Sequence, residues 1–285
     1  MCTKDRTYRK HKFIIAVLSS VVSFAVVLCV VRSPPMIFSS TLAQEQGVVT
    51  YVKTLSAIVD MTSLRPLSQL KKSGRVTYGK SKGIIHPEDC GPYTCVLMQS
   101  ITRYEIGDLL ERLGFTGQGA EVGIFEGTST MEWLKRWKSG GTFFAIDPYI
   151  GTHSDGVMIQ PTWTTLKFST QADLFAQVGA KFRQNFASRV VQLRKTSDEI
   201  NSQNIRKGSL DFCYIDGLHE YEPVLRDLEK FVPLVRSGGI VGGHDYSYGQ
   251  VRVALKDYLR RNLFLQDITL FITDEHPPSF FFINP

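Results

Sequence analysis

The stretch Ala120-Glu121-Val122-Gly123-Ile124-Phe125-Glu126-Gly127-Thr128-Ser129 decides how the rest of the chain is read. A short apolar run precedes it and an amphipathic run follows, which predicts a strand, a glycine turn and a helix start. Gly123 and Gly127 let backbone approach a ligand closely, and the helix start offers free N–H groups to a carboxylate or phosphate. An acid at the strand end and hydroxyls at the helix N-terminus complete a loop suited to a small polar ligand. The plain alternative is a helix-capping turn beside a surface acid.

Outward from this loop the chain alternates. Apolar runs predict strands at 119–124, 142–147, 189–194, 210–216 and 239–244, with helical patterns at 128–138, 171–186, 197–205 and 220–235. Upstream, Met98, Ile101, Ile106, Leu109, Leu110 and Leu113 recur near a helical period from Val96 until Gly114. Such alternation predicts an α/β domain, a mostly parallel sheet with helices on both faces. A helix at 250–262 is followed by the runs ITLFITD and SFFFIN, joined through Glu275-His276-Pro277-Pro278. Strands so close must pair as an antiparallel hairpin, expected at a sheet end, because a parallel crossover needs about a dozen residues.

The front of the chain differs. Residues 13–31 carry no charge, enough to cross a bilayer core, and Lys4, Arg6, Arg9, Lys10 and Lys12 precede them. That asymmetry predicts a signal anchor, with a cytosolic tail at 1–12 and the remainder across the membrane, in the Golgi or endoplasmic reticulum lumen. A cleaved signal peptide, with Thr41-Leu42-Ala43 as its cleavage site, is the rival reading; the length of the apolar run favours the anchor. The tail and Arg32 account for all but one unit of the +6 net charge, so the folded part shows no electrostatic footprint for nucleic acid. Residues 32–95, rich in glycine, proline and basic residues, read as a stem and cap, and 96–285 as the catalytic domain. Cys2 and Cys29 fall in the anchor region and Cys213 in an apolar strand; Cys90 and Cys95 could bridge in a lumenal domain.

In an open α/β sheet, ligands bind outside the carboxyl ends of the strands. Glu121 to Ser129 follows the first predicted strand, and Asp147-Pro148-Tyr149 the second. Thr196-Ser197-Asp198 follows the third, Asp216 to His219 the fourth, and His244-Asp245-Tyr246 the fifth. Five polar strand ends in succession exceed what loop chemistry requires. A nicotinamide fingerprint would need G-x-G-x-x-G, and Glu121-Val122-Gly123 lacks its first glycine. Asp147 stands where an acid can grip ribose hydroxyls.

The segments AEVGIFEGTST, FFAIDPY and DFCYIDGLHEYEPVLRDLEKFVPLVRSGGIVGGHDY together resemble the class I S-adenosylmethionine-dependent methyltransferases. Within that class they are similar to the small-molecule O-methyltransferase branch that includes the catechol and macrocin enzymes. The resemblance spans about residues 96–285 and implies a Rossmann-like, mostly parallel seven-stranded sheet ending in the antiparallel hairpin. It implies that Glu121, Gly123, Phe125, Gly127 and Ser129 surround the methionine part of S-adenosylmethionine, Asp147 its ribose, and Ser197 and Asp198 its adenine. It further implies that Asp216, His244 and Asp245 occupy divalent-metal positions, and that His219 stands where the catechol enzyme has its catalytic lysine.

The chemistry suits these residue types. Asp216 and Asp245 offer the oxygen ligands that Mg²⁺ prefers; an imidazole at His244 suits Mn²⁺ better, or serves as the base. A metal lowers the pKa of a bound hydroxyl, and His219 can take its proton near neutral pH. Hydrogen-bonded loop histidines are the plain alternative for His219 and His244. The expected activity is O-methyl transfer to a sugar or other small polyhydroxylated acceptor. The competing classes are a silent, membrane-tethered binding protein of the same fold and a nicotinamide-dependent enzyme. Glu220, Glu222, Arg226, Asp227, Glu229 and Lys230 are expected on one solvated helix face, and Trp133 and Trp137 in the core. The long connection 150–170, with His153, Asp155 and Trp163, is the expected lid for acceptor recognition.

Overall fold

The computed structural model describes residues 64–66, 93–98, 101–150, 168–262 and 268–285. The expected tail, anchor, cleavage site and most of the stem, Cys90, and the lid residues His153, Asp155 and Trp163 lie outside the described residues. Among the described residues, no helix is long and apolar enough to cross a membrane.

Among the described residues, nine strands form one sheet. In chain order they are β1 (Leu64–Pro66), β2 (Thr94–Met98), β3 (Gln118–Val122), β4 (Phe143–Ile146) and β5 (Val190–Leu193). β6 (Leu210–Ile215), β7 (Val235–Gly243), β8 (Thr269–Thr273) and β9 (Phe280–Ile283) follow. The spatial order is β1-β2-β8-β9-β7-β6-β3-β4-β5. β3 to β7 are mutually parallel, and every residue of β4 and β6 is buried, as strands covered on both faces require. Among the described residues, five α-helices accompany the sheet: α1 (Ile106–Arg112), α2 (Thr128–Arg136), α3 (Gln171–Phe186), α4 (Tyr221–Phe231) and α5 (Gly249–Asn262).

The expected Rossmann-like arrangement is present, but the sheet has nine strands rather than seven. β8 and β9 do pair antiparallel, yet their hairpin is interior: β9 lies antiparallel against β7, and β2 runs parallel to β8. An apolar β8 left at the edge would expose unpaired backbone, and β2 covers it. Residues 94–98 are therefore strand, not the start of the expected helix; Cys95, Val96 and Met98 are all buried. The helix begins only after a 3₁₀ turn, Arg103–Glu105, whose Thr102 and Glu105 form a reciprocal capping box. The expected stem and cap region thus contributes β1 and the first two residues of β2 to the sheet.

Two other segments depart from expectation. The helical pattern at 197–205 is a single 3₁₀ turn, Ser197–Glu199. Beyond it, Asn201 and Asn204 turn their side-chain oxygens onto nearby backbone N–H groups, a local alternative to helix. α4 stops at Phe231, and β7 starts at Val235, four residues ahead of the expected position. Trp133 and Trp137 are fully buried, as expected, each donating its indole N–H to a backbone carbonyl, of Arg103 and Phe115 respectively.

Strand order reverses at β3: the chain goes outward through β4 and β5, then returns to place β6 on the other side. The crevice at such a reversal lies at the carboxyl ends of β3 and β6. The opening loop and Asp216 meet there.

Candidate active site

The loop after β3 is built tightly. Gly123 has φ +87° and Gly127 φ +71°, a region that favours glycine. A Cβ at Gly127 would lie 2.6 Å from the Phe182 ring. Glu121 is 1% exposed and accepts a hydrogen bond from the Thr130 hydroxyl in the first turn of α2. Burial pushes its carboxyl well above the usual range. Asp147, just past β4, accepts the backbone N–H groups of Ile124 and Phe125 on one oxygen (3.0 and 2.9 Å) and that of Tyr149 on the other (2.7 Å). Burial raises its pKa, and these bonds oppose the rise. Both acids assigned to the cofactor thus also build the loop. A carboxylate has about four acceptor sites, so among the described residues these three bonds leave about one of Asp147's open.

Phe125 (φ 46°) and Tyr149 (φ 51°) interlock, the Tyr149 hydroxyl donating to the Phe125 carbonyl at 3.2 Å. Ser129 is buried at the start of α2. At the end of β5, Asp198 is exposed, and the Ser197 hydroxyl bonds to Asp227. Asp227 corrects the expected solvated face: Glu220, Glu222, Arg226 and Glu229 are exposed, but Asp227 is 5% exposed. Burial lifts its pKa to about 6.

Asp216, His219, His244 and Asp245 come together. β6 and β7 are in parallel register, Ile215 opposite Gly243, so Asp216 and His244 leave adjacent strands side by side. His219 Nε2 lies 2.8 Å from Asp245 Oδ2, and His244 Nδ1 lies 3.2 Å from the same oxygen and 3.5 Å from Asp216 Oδ1. Burial would raise the Asp245 pKa, but the hydrogen bonds from His219 and His244 hold it well below the usual carboxylate range. The His219 pKa is raised chiefly by its bond to Asp245. One ligand atom each of Asp216, His219 and Asp245 lies within 4.8 Å of the others. Two carboxylates and an imidazole fit a divalent cation such as Mn²⁺ or Mg²⁺.

His244, expected as a ligand or base, also meets a guanidinium. Its Nε2 lies 2.6 Å from Arg103 Nη1. Burial lowers the imidazole pKa, yet the two carboxylates outweigh it and would bring it to about 9. A guanidinium offers only donors, however, so Nε2 must present a lone pair to it. A ring that accepts from Arg103 is neutral, with its proton on Nδ1. Both nitrogens are then occupied.

Arg103 and Glu275 are the site residues that sequence reasoning missed. Glu275 Oε2 lies 3.1 Å from Arg103 Nη1, and Glu275 Oε1 accepts the Arg103 backbone N–H at 2.9 Å. The capping pattern Thr102-Arg103-Tyr104-Glu105 marked the turn, but nothing in it marked the arginine as a site residue. Cys213 is buried as expected, and burial raises its thiol pKa. Cys95 is disulfide-bonded, its partner lying outside the described residues.

Residues 120–246 match a family described as a methyltransferase domain. Similar solved structures include the O-methyltransferase NovP, at 14% identity, TM-score 0.46, covering 64% of this chain and 77% of that one. The calicheamicin methyltransferase CalS11 matches at 19% identity and TM-score 0.44, over 63% and 77% of the two chains. A SAM-dependent O-methyltransferase from Thermotoga maritima matches at 12% identity and TM-score 0.43, over 72% and 68%. No curated protein matches the chain. The matched residues run from within β3 to the strand end that holds Asp245, so the stretch similar to a methyltransferase domain is the stretch that builds the site.

Proposed function

We propose that the protein transfers a methyl group from S-adenosylmethionine to a hydroxyl of a sugar or other small polyhydroxylated acceptor, assisted by a divalent metal. The observation that carries this reading is the convergence of Asp216, His219 and Asp245 beside the loop after β3. A group able to take an acceptor's proton stands next to a loop able to hold a methyl donor.

When bound, S-adenosylmethionine supplies the methyl group, and a Mg²⁺ or Mn²⁺ ion held by Asp216 and Asp245 lowers the acceptor hydroxyl's pKa. The chain's own residues do the rest. The Gly123–Gly127 turn and the start of α2 receive the methionine moiety, Asp147 braces the turn and offers its remaining lone pair to the ribose, and Ser197 and Asp198 flank the adenine. With His219 Nε2–H donating to Asp245, Nδ1 carries the lone pair that takes the acceptor's proton. The His219 side chain is 51% exposed, so an acceptor can reach it.

We further infer a single-pass topology, with residues 13–31 as the anchor and the domain in the lumen of the secretory pathway. The flanking charge asymmetry supports it, and a disulfide at Cys95 suits an oxidising compartment. Labelled methyl transfer from S-adenosylmethionine by the full-length chain to glycans, catechols and lipid fractions tests the activity. A chain that does not bind S-adenosylmethionine sinks it. Digestion of the domain by protease in sealed microsomes without detergent overturns the topology.

A further inference from the structure

Resting on the reading that Asp216 and Asp245 hold a divalent ion, we propose that Arg103 is a positioning residue. Anchored by Glu275 of the β8–β9 hairpin, it engages His244 Nε2, turns Nδ1–H toward the two carboxylates, and keeps His244 out of the ion's ligand set.

Arg103 is held from several sides. Its backbone N–H donates to Glu275 Oε1 and its carbonyl accepts the Trp133 indole N–H at 2.7 Å. Its Nε donates to the Ser129 hydroxyl at 3.3 Å, and Nη1 reaches both Glu275 Oε2 (3.1 Å) and His244 Nε2 (2.6 Å). Glu275 is fixed in turn. Its Oε1 accepts the hydroxyls of Thr273 at 2.9 Å and Ser279 at 2.8 Å, and Ser279 meets the buried Tyr214 hydroxyl at 2.7 Å. The guanidinium is thus carried to the strand ends by a chain of satisfied polar groups, which a low-dielectric interior makes rigid.

The consequence for His244 follows from donor and acceptor counting. Metal ligation needs a free imidazole lone pair. The only lone pair of the neutral ring faces Arg103, and the ring's single proton faces Asp245 and Asp216. His244 is left to orient the carboxylates from behind, as groups hydrogen-bonded to metal ligands do. His219, whose ring meets no cation at such range among the described residues, remains the imidazole on the acceptor side.

The test uses the full-length, metal-free chain labelled with ¹⁵N-histidine, at one fixed pH, with His244→Asn to assign the signals. The wild type is expected to carry the His244 proton on Nδ1 alone. Arg103→Met should abolish that single pattern, and Arg103→Lys, which keeps a donor, should restore part of it. Should Arg103→Met fail to fold, Glu275→Gln is expected to loosen the pattern by freeing the guanidinium. A wild-type His244 with its proton on Nε2, or a spectrum unchanged in Arg103→Met, overturns the proposal. A second arm adds Mn²⁺ and reads nitrogen couplings by pulsed electron paramagnetic resonance. His244→Asn should leave the wild-type couplings intact, whereas Arg103→Met should gain one that His244→Asn removes. Loss of a wild-type coupling in His244→Asn overturns exclusion of His244 from the ion. Absence of Mn²⁺ binding overturns the metal reading itself, and the metal-free arm still decides the role of Arg103.

Discussion

A Cβ on Gly123 would lie 2.0 Å from the backbone carbonyl oxygen of Asp216. The loop after β3 and the acid that ends β6 are therefore in backbone contact. Gly123→Ala meets this wall and also a φ of +87°, which a side chain adopts only at a cost of about 1–3 kcal/mol. We expect a lowered melting temperature and weakened S-adenosylmethionine binding together, measured by thermal unfolding and calorimetric titration. Wild-type values for both would show that the loop does not depend on this contact.

Asp147 shows how the loop after β3 and the next strand are joined. Its two oxygens accept three backbone N–H groups, of Ile124, Phe125 and Tyr149. Asp147→Asn puts an NH₂ group against at least one of those donors. An unsatisfied buried donor costs about 1–3 kcal/mol, so S-adenosylmethionine affinity should fall about 10-fold or more. Equilibrium binding measures it, and unaltered affinity would remove Asp147 from the binding loop.

Asp245 separates chemistry from folding unusually well. It is a non-glycine residue at φ 58°, a conformation that asparagine tolerates almost as readily as aspartate. Asp245→Asn should therefore keep the backbone while losing the carboxylate that binds both His219 and His244. Methyl transfer should drop about 100-fold or more, the usual scale for acid–base assistance, with S-adenosylmethionine affinity within about twofold of wild type. Turnover retained at wild-type level would place the proton acceptor elsewhere.

The parts of the site that were readable in the sequence are those fixed by local pattern. Continuous apolar runs marked β4 and β6, and the residues ending them were bound to emerge at one edge once the strands were parallel. Hence Asp216, His219, His244 and Asp245 meet as the pattern implied. The expectation failed where non-local pairing overrode periodicity. Val96 and Met98 fit a helical spacing with Ile106 and Leu109, but the uncovered edge of β8, far along the chain, takes residues 94–98 as strand. Arg103 and Glu275 meet across 172 residues, a separation at which no local pattern survives. Asp227 misled for another reason: charge alone does not reveal that a helix turns one acid inward.

That buried acid has a measurable signature. Asp227 is raised from an ordinary 3.8 to about 6 by burial, against the bond from Ser197. An acid whose folded pKa is raised favours the folded state when protonated, so its contribution is fully present below about pH 4 and is lost as pH rises through about 6. Above that window the ionised form costs about 3 kcal/mol. Asp227→Asn keeps an acceptor for the Ser197 hydroxyl and cannot ionise. Relative to wild type, its melting temperature should be unchanged near pH 4 and should rise progressively between pH 4 and 7. A difference that shrinks over that interval would mean that the folded protein stabilises the Asp227 carboxylate rather than the acid.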